Sequence, residues 1–272
     1  MKLRLLRLCA GVIALAVSGT AGAQEPPPVD SVRPVPLAPI SITVVRMPLA
    51  AGRVPYAVAA VDAGREGRAQ PGLGLDEALR AVPGVQVDNR YNYALGERIS
   101  IRGFGARAQF GVRGVKVLLN GIPATVADGQ TTLNHIDLGS LGRVEVIRGP
   151  AASLYGNAAG GVIQLETSPP PAVPIQQELR VIGGDDGLLR VQSRTGGQSG
   201  RFGYQASIAR LTYDGYRAFS SARNVQADVQ LRYAGATDLL QLTGNFVDYN
   251  AHNPGSLSDS LLRADRSQAY AN

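Results

Sequence analysis

The stretch from Val144 to Ile163, VEVIRGPAASLYGNAAGGVI, constrains the fold of this chain more than any other. Its apolar β-branched residues predict a strand, which must stop at Pro150 because proline cannot donate a hydrogen bond to a neighbouring strand. Small residues then predict a helical turn, and Gly160-Gly161 predicts a corner where φ is positive or backbones meet closely. Val162 to Thr167 predicts a second strand. We therefore expect two strands joined through corners and a helical turn.

Residues 1–23 have the features of a secretory signal: a basic start, an apolar core from Leu8 to Val17, and the small-residue cleavage pattern Ala21-Gly22-Ala23. The apolar core is about ten residues long, shorter than the roughly 20 of a spanning helix. Cys9, the only cysteine, precedes the predicted cleavage. The mature chain would therefore have neither disulfides nor thiol chemistry.

The net charge of +6 overstates the basic character of the mature protein. Three basic residues (Lys2, Arg4 and Arg7) lie in the predicted signal, and without them 24 basic face 21 acidic residues, a net charge of +3. A mildly basic solvated surface therefore explains the charge better than a nucleic-acid partner does.

A proline-rich spacer, Gln24 to Pro39, precedes the β-prone hexamer Ile40-Ser41-Ile42-Thr43-Val44-Val45. The spacer is expected to be extended and solvated. Two interpretations of the hexamer remain open: it is the first edge strand of the following domain, or it adds a strand to the sheet of a partner.

The centre of the chain predicts a small α+β unit with a mixed sheet. Leu75 to Val82 has apolar residues on one helical face and is stopped by Pro83-Gly84. Asn120-Gly121 is a strong hairpin-turn signal. Three further strands are expected. One begins at Val85, the second spans Ile99 to Arg102, and the third spans Val115 to Leu119.

After three prolines at 169–171 the sequence alternates with period two, as in Phe202 to Ala209. Such segments of about ten residues are typical of a membrane barrel with a wet lumen. They fit a soluble sandwich with one solvated face equally well, and only the signal peptide and the preceding unit favour the barrel. The expected strands are Glu178 to Gly184, Leu188 to Gly196, Phe202 to Tyr213, Val225 to Tyr233 and Leu239 to Tyr249.

Motifs for catalysis or cofactor binding are weak. Gly103 to Ala108 matches a dinucleotide fingerprint, but the helix that would carry the pyrophosphate does not follow. Asp128, His135 and Asp137 lack the regular spacing of a metal or acid–base site, so a structural histidine is favoured. Ser153 has no nucleophile-elbow context. We expect no catalytic residue, no metal site and no cofactor.

Four segments together resemble the plug of TonB-dependent outer-membrane receptors, particularly those for iron complexes. They are LDEALRAVPGVQV (75–87), ISIRGFGAR (99–107), GVKVLLNGIPATVADGQT (114–131) and HIDLGSLGRVEVIRGPAASLYGNAAGGVIQLET (135–167), within a similarity that spans roughly Ile40 to Ser168. The resemblance implies an α+β plug domain, a small mixed sheet with short helices, followed by antiparallel strands of an incomplete transmembrane β-barrel. It also implies that substrate binds from outside and that the energy-transducing protein TonB rearranges the plug.

The resemblance assigns roles to three groups of residues. Ile40 to Val45 would be the TonB box. Arg102 and Arg148 would lock the plug to carboxylates of the barrel wall, with pairing inside the plug as the alternative. A loop with cations, an amide and an aromatic ring would contact an anionic iron chelate through Arg107, Gln109, Phe110 and Arg113. The alternative is that this is an ordinary polar loop.

The sequence therefore predicts a non-enzymatic receptor for active uptake of a ferric siderophore or similar iron complex. Its expected divisions are a signal peptide (1–23), a linker with the TonB box (24–50), a plug (51–168) and barrel strands (169–272). TonB, the iron chelate and the outer membrane are the expected partners. Since plugged transporters need about 22 strands and five are visible, we expect a fragment. A secreted soluble binding or adhesion protein and a non-transporting truncated remnant are the alternatives.

Overall fold

The computed structural model describes residues 40–67, 70–88, 91–108 and 111–270. The predicted signal peptide and the proline-rich spacer lie outside these residues. Within the described ranges, no helix is long and apolar enough to cross a membrane. In chain order the strands and helices are β1 (Ser41–Ile42), β2 (Leu49–Ala50), β3 (Ala57–Val61), α1 (Ala63–Glu66), α2 (Asp76–Leu79), β4 (Val85–Asp88), β5 (Arg98–Ile101), β6 (Val112–Arg113), β7 (Val115–Leu119), β8 (Ile122–Pro123), β9 (Gln130–Thr131), β10 (Leu141–Arg148), α3 (Ala152–Tyr155), β11 (Gly161–Thr167), β12 (Gln176–Gly183), β13 (Leu189–Ser199), β14 (Phe202–Tyr213), β15 (Ala222–Ala234), β16 (Leu239–Ala251) and α4 (Asp259–Ala264).

Residues 40–168, which we call the mixed-sheet domain, are built around five strands in the order β3-β10-β11-β7-β8. β10 pairs antiparallel with β11, and β11 pairs parallel with β7, so the mixed sheet is confirmed. The connection between β10 and β11 contains α3, as predicted. Gly161 has φ 144°, and a Cβ there would lie 2.1 Å from the Ile147 carbonyl oxygen. Only glycine fits at this corner.

The local predictions for this domain hold with two corrections. The hairpin at Asn120-Gly121 forms with both residues at positive φ, and Leu119 pairs with Ile122. Helix α2 is shorter than the predicted Leu75 to Val82. Arg102 was expected in a strand, but β5 ends one residue earlier, because Arg102 turns to φ 51° and its amide donates to the Gly84 carbonyl.

Apolar side chains fill both faces of the mixed sheet. One buried cluster packs α2 and β5 against one face and includes Leu79, Ile99 and Ile163. The second lies on the opposite face and includes Ile42, Ile147 and Val162. The domain thus has a conventional dry core on each side of its sheet.

The strands β12 to β16 form a separate five-stranded sheet in sequence order, which we call the antiparallel sheet. All five predicted strands are present, with every end within three residues of the expected position. Its polar side chains face the mixed-sheet domain and are buried, whereas its apolar side chains point away and are exposed. The buried polar set is Arg190, Gln192, Gln205, Ser207, Gln226 and Gln230, and the exposed apolar set includes Leu179, Val181, Val191, Ile208, Val229, Leu242 and Phe246.

Candidate functional site

The predicted TonB box, Ile40 to Val45, lies against the mixed-sheet domain. Only Ser41 and Ile42 are in a strand, and they pair with β2. The side chains of Ile42, Val44 and Val45 are buried in the second apolar cluster. In this conformation the segment packs within its own domain and pairs only with β2, so pairing with a partner would require it to detach.

A buried carboxylate holds this segment. Glu145 Oε2 accepts hydrogen bonds from the amides of Thr43 (2.8 Å) and Val44 (2.7 Å) and from the Thr43 hydroxyl (3.1 Å). Its Oε1 accepts from Arg143 Nε at 2.7 Å, and Arg143 also donates to the Ser41 carbonyl. A fully buried charge is tolerated only with such partners. Glu145 therefore fixes the position of the segment.

Tyr155 makes the next attachment. Its hydroxyl donates to the Val44 carbonyl at 2.6 Å, and the Arg46 guanidinium lies 4.6 Å from the centre of its ring. Burial raises the pKa of the Tyr155 phenol, so the hydroxyl stays protonated and able to donate at neutral pH. The segment is thus held through hydrogen bonds to its backbone, which another strand could replace.

Asp137 joins the mixed-sheet domain to the antiparallel sheet. Its carboxylate accepts from Arg190 Nη2 at 2.8 Å and from Gln192 Nε2 at 2.6 Å, both on β13. The hydroxyls of Ser140 (2.5 Å) and Ser207 (3.3 Å) and the Gly139 amide (3.1 Å) also donate to this carboxylate. The Arg190 and Asp137 side chains are only 5% and 2% exposed. No sequence pattern predicts this buried ion pair, because Asp137 and Arg190 are 53 residues apart in the chain.

The two arginines expected to lock plug to barrel have different surroundings. Arg148 donates to the carbonyls of Pro83 (3.1 Å) and Val58 (3.3 Å), both within the mixed-sheet domain. Arg102 is exposed, and a Cβ added at Gly149 would lie 3.6 Å from its Nη1. Within the described ranges, no carboxylate forms a salt bridge with either guanidinium. Their role as a lock to a barrel stays a prediction.

Of the four predicted ligand-contact residues, Gln109 and Phe110 lie outside the described residues. Arg107 and Arg113 are both exposed, and Arg113 donates to Gln130 Oε1 at 3.1 Å. Neither arginine lines any of the cavities described below. Ligand contact at this loop therefore stays a prediction.

A cavity of about 930 Å³ lies between the mixed-sheet domain and the loop end of the antiparallel sheet. The turn between β12 and β13 and the loop after β14 form one wall, and the segment around Tyr91 and Tyr93 forms the other. The rings of Tyr93 and Tyr213 meet with centroids 5.4 Å apart. Concave sites with aromatic walls and a few polar groups are typical of small-molecule binding. Its tyrosines are scattered through the sequence, so no local pattern predicts this cavity.

A small mixed-sheet domain packed on the polar face of an antiparallel sheet, with apolar residues outside, is the architecture of a plugged receptor. Residues 51–162 match the family model described as TonB-dependent Receptor Plug Domain. This part of the chain is therefore a TonB-dependent receptor plug domain, as the sequence predicted.

Relatives with known roles share this region. The chain is 32% identical over 151 residues to a vitamin B12 transporter of Photobacterium profundum, an alignment that covers 55% of the chain and 23% of the transporter. It is 37% identical over 94 residues to a hemin receptor of Yersinia enterocolitica, covering 34% and 12%. The chain thus matches less than a quarter of the length of either relative.

The fold matches that of solved receptor structures. The unliganded ferric citrate transporter FecA superposes with a TM-score of 0.63 at 23% identity, over 80% of this chain and 34% of the transporter. The match extends beyond the plug model, so the antiparallel sheet also has the fold of the corresponding part of that transporter.

Proposed function

We propose that these residues are the plug and first barrel strands of an outer-membrane receptor that imports a ferric siderophore or similar iron complex. The receptor is not an enzyme. It is exported through the signal peptide at residues 1–23, and TonB drives it by pairing with Ile40 to Val45. Barrel strands beyond β16 would complete the wall.

The observation that carries this proposal is the reversed burial of the antiparallel sheet. Its polar side chains are covered by the mixed-sheet domain, and its exposed side chains are apolar. An apolar outer face suits lipid, and a polar inner face suits a filled lumen. A secreted soluble protein would pay a large solvation cost for this arrangement.

Binding of TonB at Ile40 to Val45 is tested by Val44→Pro in the full-length receptor. The Val44 amide donates to Glu145 now and would donate to a partner strand after release. Energised uptake should fall to background, while surface binding of ligand stays intact. Uptake of ⁵⁵Fe as ferric citrate, hydroxamate and catecholate complexes is measured alongside that of hemin and vitamin B12.

Two matched variants separate loss of pairing from loss of docking. Val44→Ala keeps the amide and should retain uptake. Glu145→Gln weakens docking without removing a backbone donor, and should also retain it. Uptake by the Val44→Pro variant at the unaltered rate would contradict the TonB assignment, and no energised uptake of any probe by the unaltered receptor would contradict transport itself.

A further inference from the structure

A cavity of about 210 Å³ lies between the mixed-sheet domain and strands β14 to β16, apart from the 930 Å³ cavity at the loop end. His135 and Thr167 line it from the mixed-sheet domain, and Asp228 and Gln230 line it from β15. Burial lowers the pKa of the His135 imidazole, so the ring is neutral at neutral pH. Of the described residues that line the cavity, only Asp228 therefore carries a charge.

Asp228 and Gln230 stand on the face of β15 that is turned toward the mixed-sheet domain. They are two residues apart in the strand, so their side chains point the same way from Cα atoms about 6–7 Å apart. Gln230 Nε2 donates to the Thr167 hydroxyl at 3.3 Å. Strand pairing places Ser207 beside Asp228 and Thr243 beside Gln230. The wall of the cavity thus combines a carboxylate, an amide and hydroxyls.

One oxygen of each of the two β15 side chains has no partner. Asp228 Oδ1 accepts from Asn245 Nδ2 at 2.6 Å, but Asp228 Oδ2 and Gln230 Oε1 are buried and meet no donor within the described ranges. Gln230 is only 9% exposed. In contrast, the buried carboxylates of Glu145 and Asp137 each pair with an arginine. A buried carboxylate without a positive partner is costly, and a cation beside Asp228 would remove this cost.

The chemistry of these oxygens selects the kind of cation. Carboxylate, amide and hydroxyl oxygens are hard ligands, which suit hard metal ions better than soft ones. Groups of three or more His, Cys, Asp or Glu side chains that could hold a metal are absent from the described residues, so the site depends on neutral oxygens and one carboxylate. A monovalent ion balances the charge of Asp228, whereas a divalent ion would leave an excess positive charge buried.

We propose that Asp228 and Gln230 bind a monovalent metal ion such as sodium between the mixed-sheet domain and β15. Asp228 Oδ2 and Gln230 Oε1 are its protein ligands, and the cavity has room for waters that complete its coordination. The ion lies next to the Asp137–Arg190 pair, since Ser207 borders the cavity and also donates to Asp137. It adds a second electrostatic joint between the two regions, whichever ligand the receptor imports.

The test is thermal unfolding of the full-length receptor in detergent at about pH 8, where carboxyl groups are ionised. Replacing choline chloride by NaCl at equal ionic strength should raise the unfolding midpoint by about 2–4 °C, because an ion that binds only the folded receptor stabilises it by mass action. Asp228→Asn keeps the shape of the side chain and removes its charge, so its midpoint should be the same in both salts.

Asp248→Asn is the matched control. Asp248 lies on the outer face of the same sheet, in β16, and its side chain is 57% exposed. This variant removes the same charge away from the cavity and should keep the full sodium-dependent shift. A shift that is lost in both variants, or retained in Asp228→Asn, would overturn the assignment of the site.

Gln230→Glu should change which ion the site prefers. It adds a second carboxylate, and negative ligand charge raises the affinity for Ca²⁺. CaCl₂ should therefore give a larger shift than NaCl in this variant, and a smaller one in the unaltered receptor. Each comparison is made between salts of equal ionic strength within one variant, so a general loss of stability does not affect it.

Three further outcomes would overturn the proposal. Equal midpoints of the unaltered receptor in NaCl and choline chloride would show that no sodium ion binds. A larger shift in CaCl₂ than in NaCl for the unaltered receptor would contradict the monovalent charge. No gain of Ca²⁺ preference in Gln230→Glu would show that Gln230 is not a ligand. These assays need neither TonB nor an imported ligand, so they stand apart from the uptake test.

Discussion

The mixed-sheet domain and the antiparallel sheet bury opposite kinds of side chain. In β10 of the mixed-sheet domain, Val144 and Val146 are buried, and the one buried charge, Glu145, binds backbone amides. In β14 the buried residues include Gln205 and Ser207, whereas Ile208 is exposed. The first region is built like a water-soluble protein, and the second is not.

Alternation of polar and apolar residues alone therefore does not identify the inside of a sheet. A strand of period two presents one polar and one apolar face, and its surroundings decide which face is covered. In the antiparallel sheet the covering body is a polar surface of the mixed-sheet domain, which supplies Asp137. The apolar face is therefore left uncovered by protein, and it suits contact with lipid.

The largest effect is expected where the two regions meet. Asp137→Ala leaves Arg190 buried without its carboxylate, which should lower the free energy of unfolding by about 3–5 kcal/mol. Glu178→Ala is the control, because its partner Arg194 and Glu178 itself are 23% and 46% exposed and such pairs contribute about 0–1 kcal/mol. Denaturant unfolding of the full-length receptor measures both, and equal losses would show that Asp137 does not join the regions.

A smaller effect is expected from placing a charge on the exposed surface of each region, because one surface would face lipid and the other water. Ile208 of the antiparallel sheet and Ile122 of the mixed-sheet domain are 55% and 63% exposed. Ile208→Arg should cost about 2–4 kcal/mol in a bilayer, because its side chain would face lipid. Ile122→Arg should stay within about 0.5 kcal/mol, as a surface change in water does. Similar costs in reconstituted receptor would remove the contrast between the regions.

The smallest effect concerns the arginines. Arg148→Ala leaves two carbonyl acceptors without a donor and should cost about 1–3 kcal/mol. If Arg102 and Arg148 also meet carboxylates of the barrel, each Arg→Ala change should raise antibiotic leakage and proteolysis of the mixed-sheet domain. If leakage and proteolysis are unchanged in both variants, the arginines do not lock the domain to the barrel, and pairing within the domain is favoured.

Local features of the fold could be predicted from the sequence. Asn120-Gly121 predicted a hairpin, and a strand was predicted from Phe202 to Tyr213. Both are present, and the strand has the predicted ends. These depend on turn chemistry and side-chain period, which act between near neighbours.

The candidate site was harder to predict, because its contacts join distant residues. Glu145 binds amides about 100 residues earlier, and Asp137 binds Arg190, which is 53 residues later. The signal for Glu145 was a carboxylate between Val144 and Val146, and that for Arg190 was its alternation with Gln192. Neither pattern predicts which residue is the partner, because the partner is determined by tertiary packing.

The apolar face of the antiparallel sheet is expected to contact lipid. Phe246 lies on that face in β16, and Phe219 lies in the loop after β14; they are 62% and 63% exposed. These 272 residues contain no tryptophan, so Phe246→Trp and Phe219→Trp each add one emission signal. With the full-length receptor in vesicles of lipids brominated on their acyl chains, we predict strong quenching for Phe246→Trp and weak quenching for Phe219→Trp. Equal quenching of the two, or none in the Phe246→Trp variant, would contradict the account.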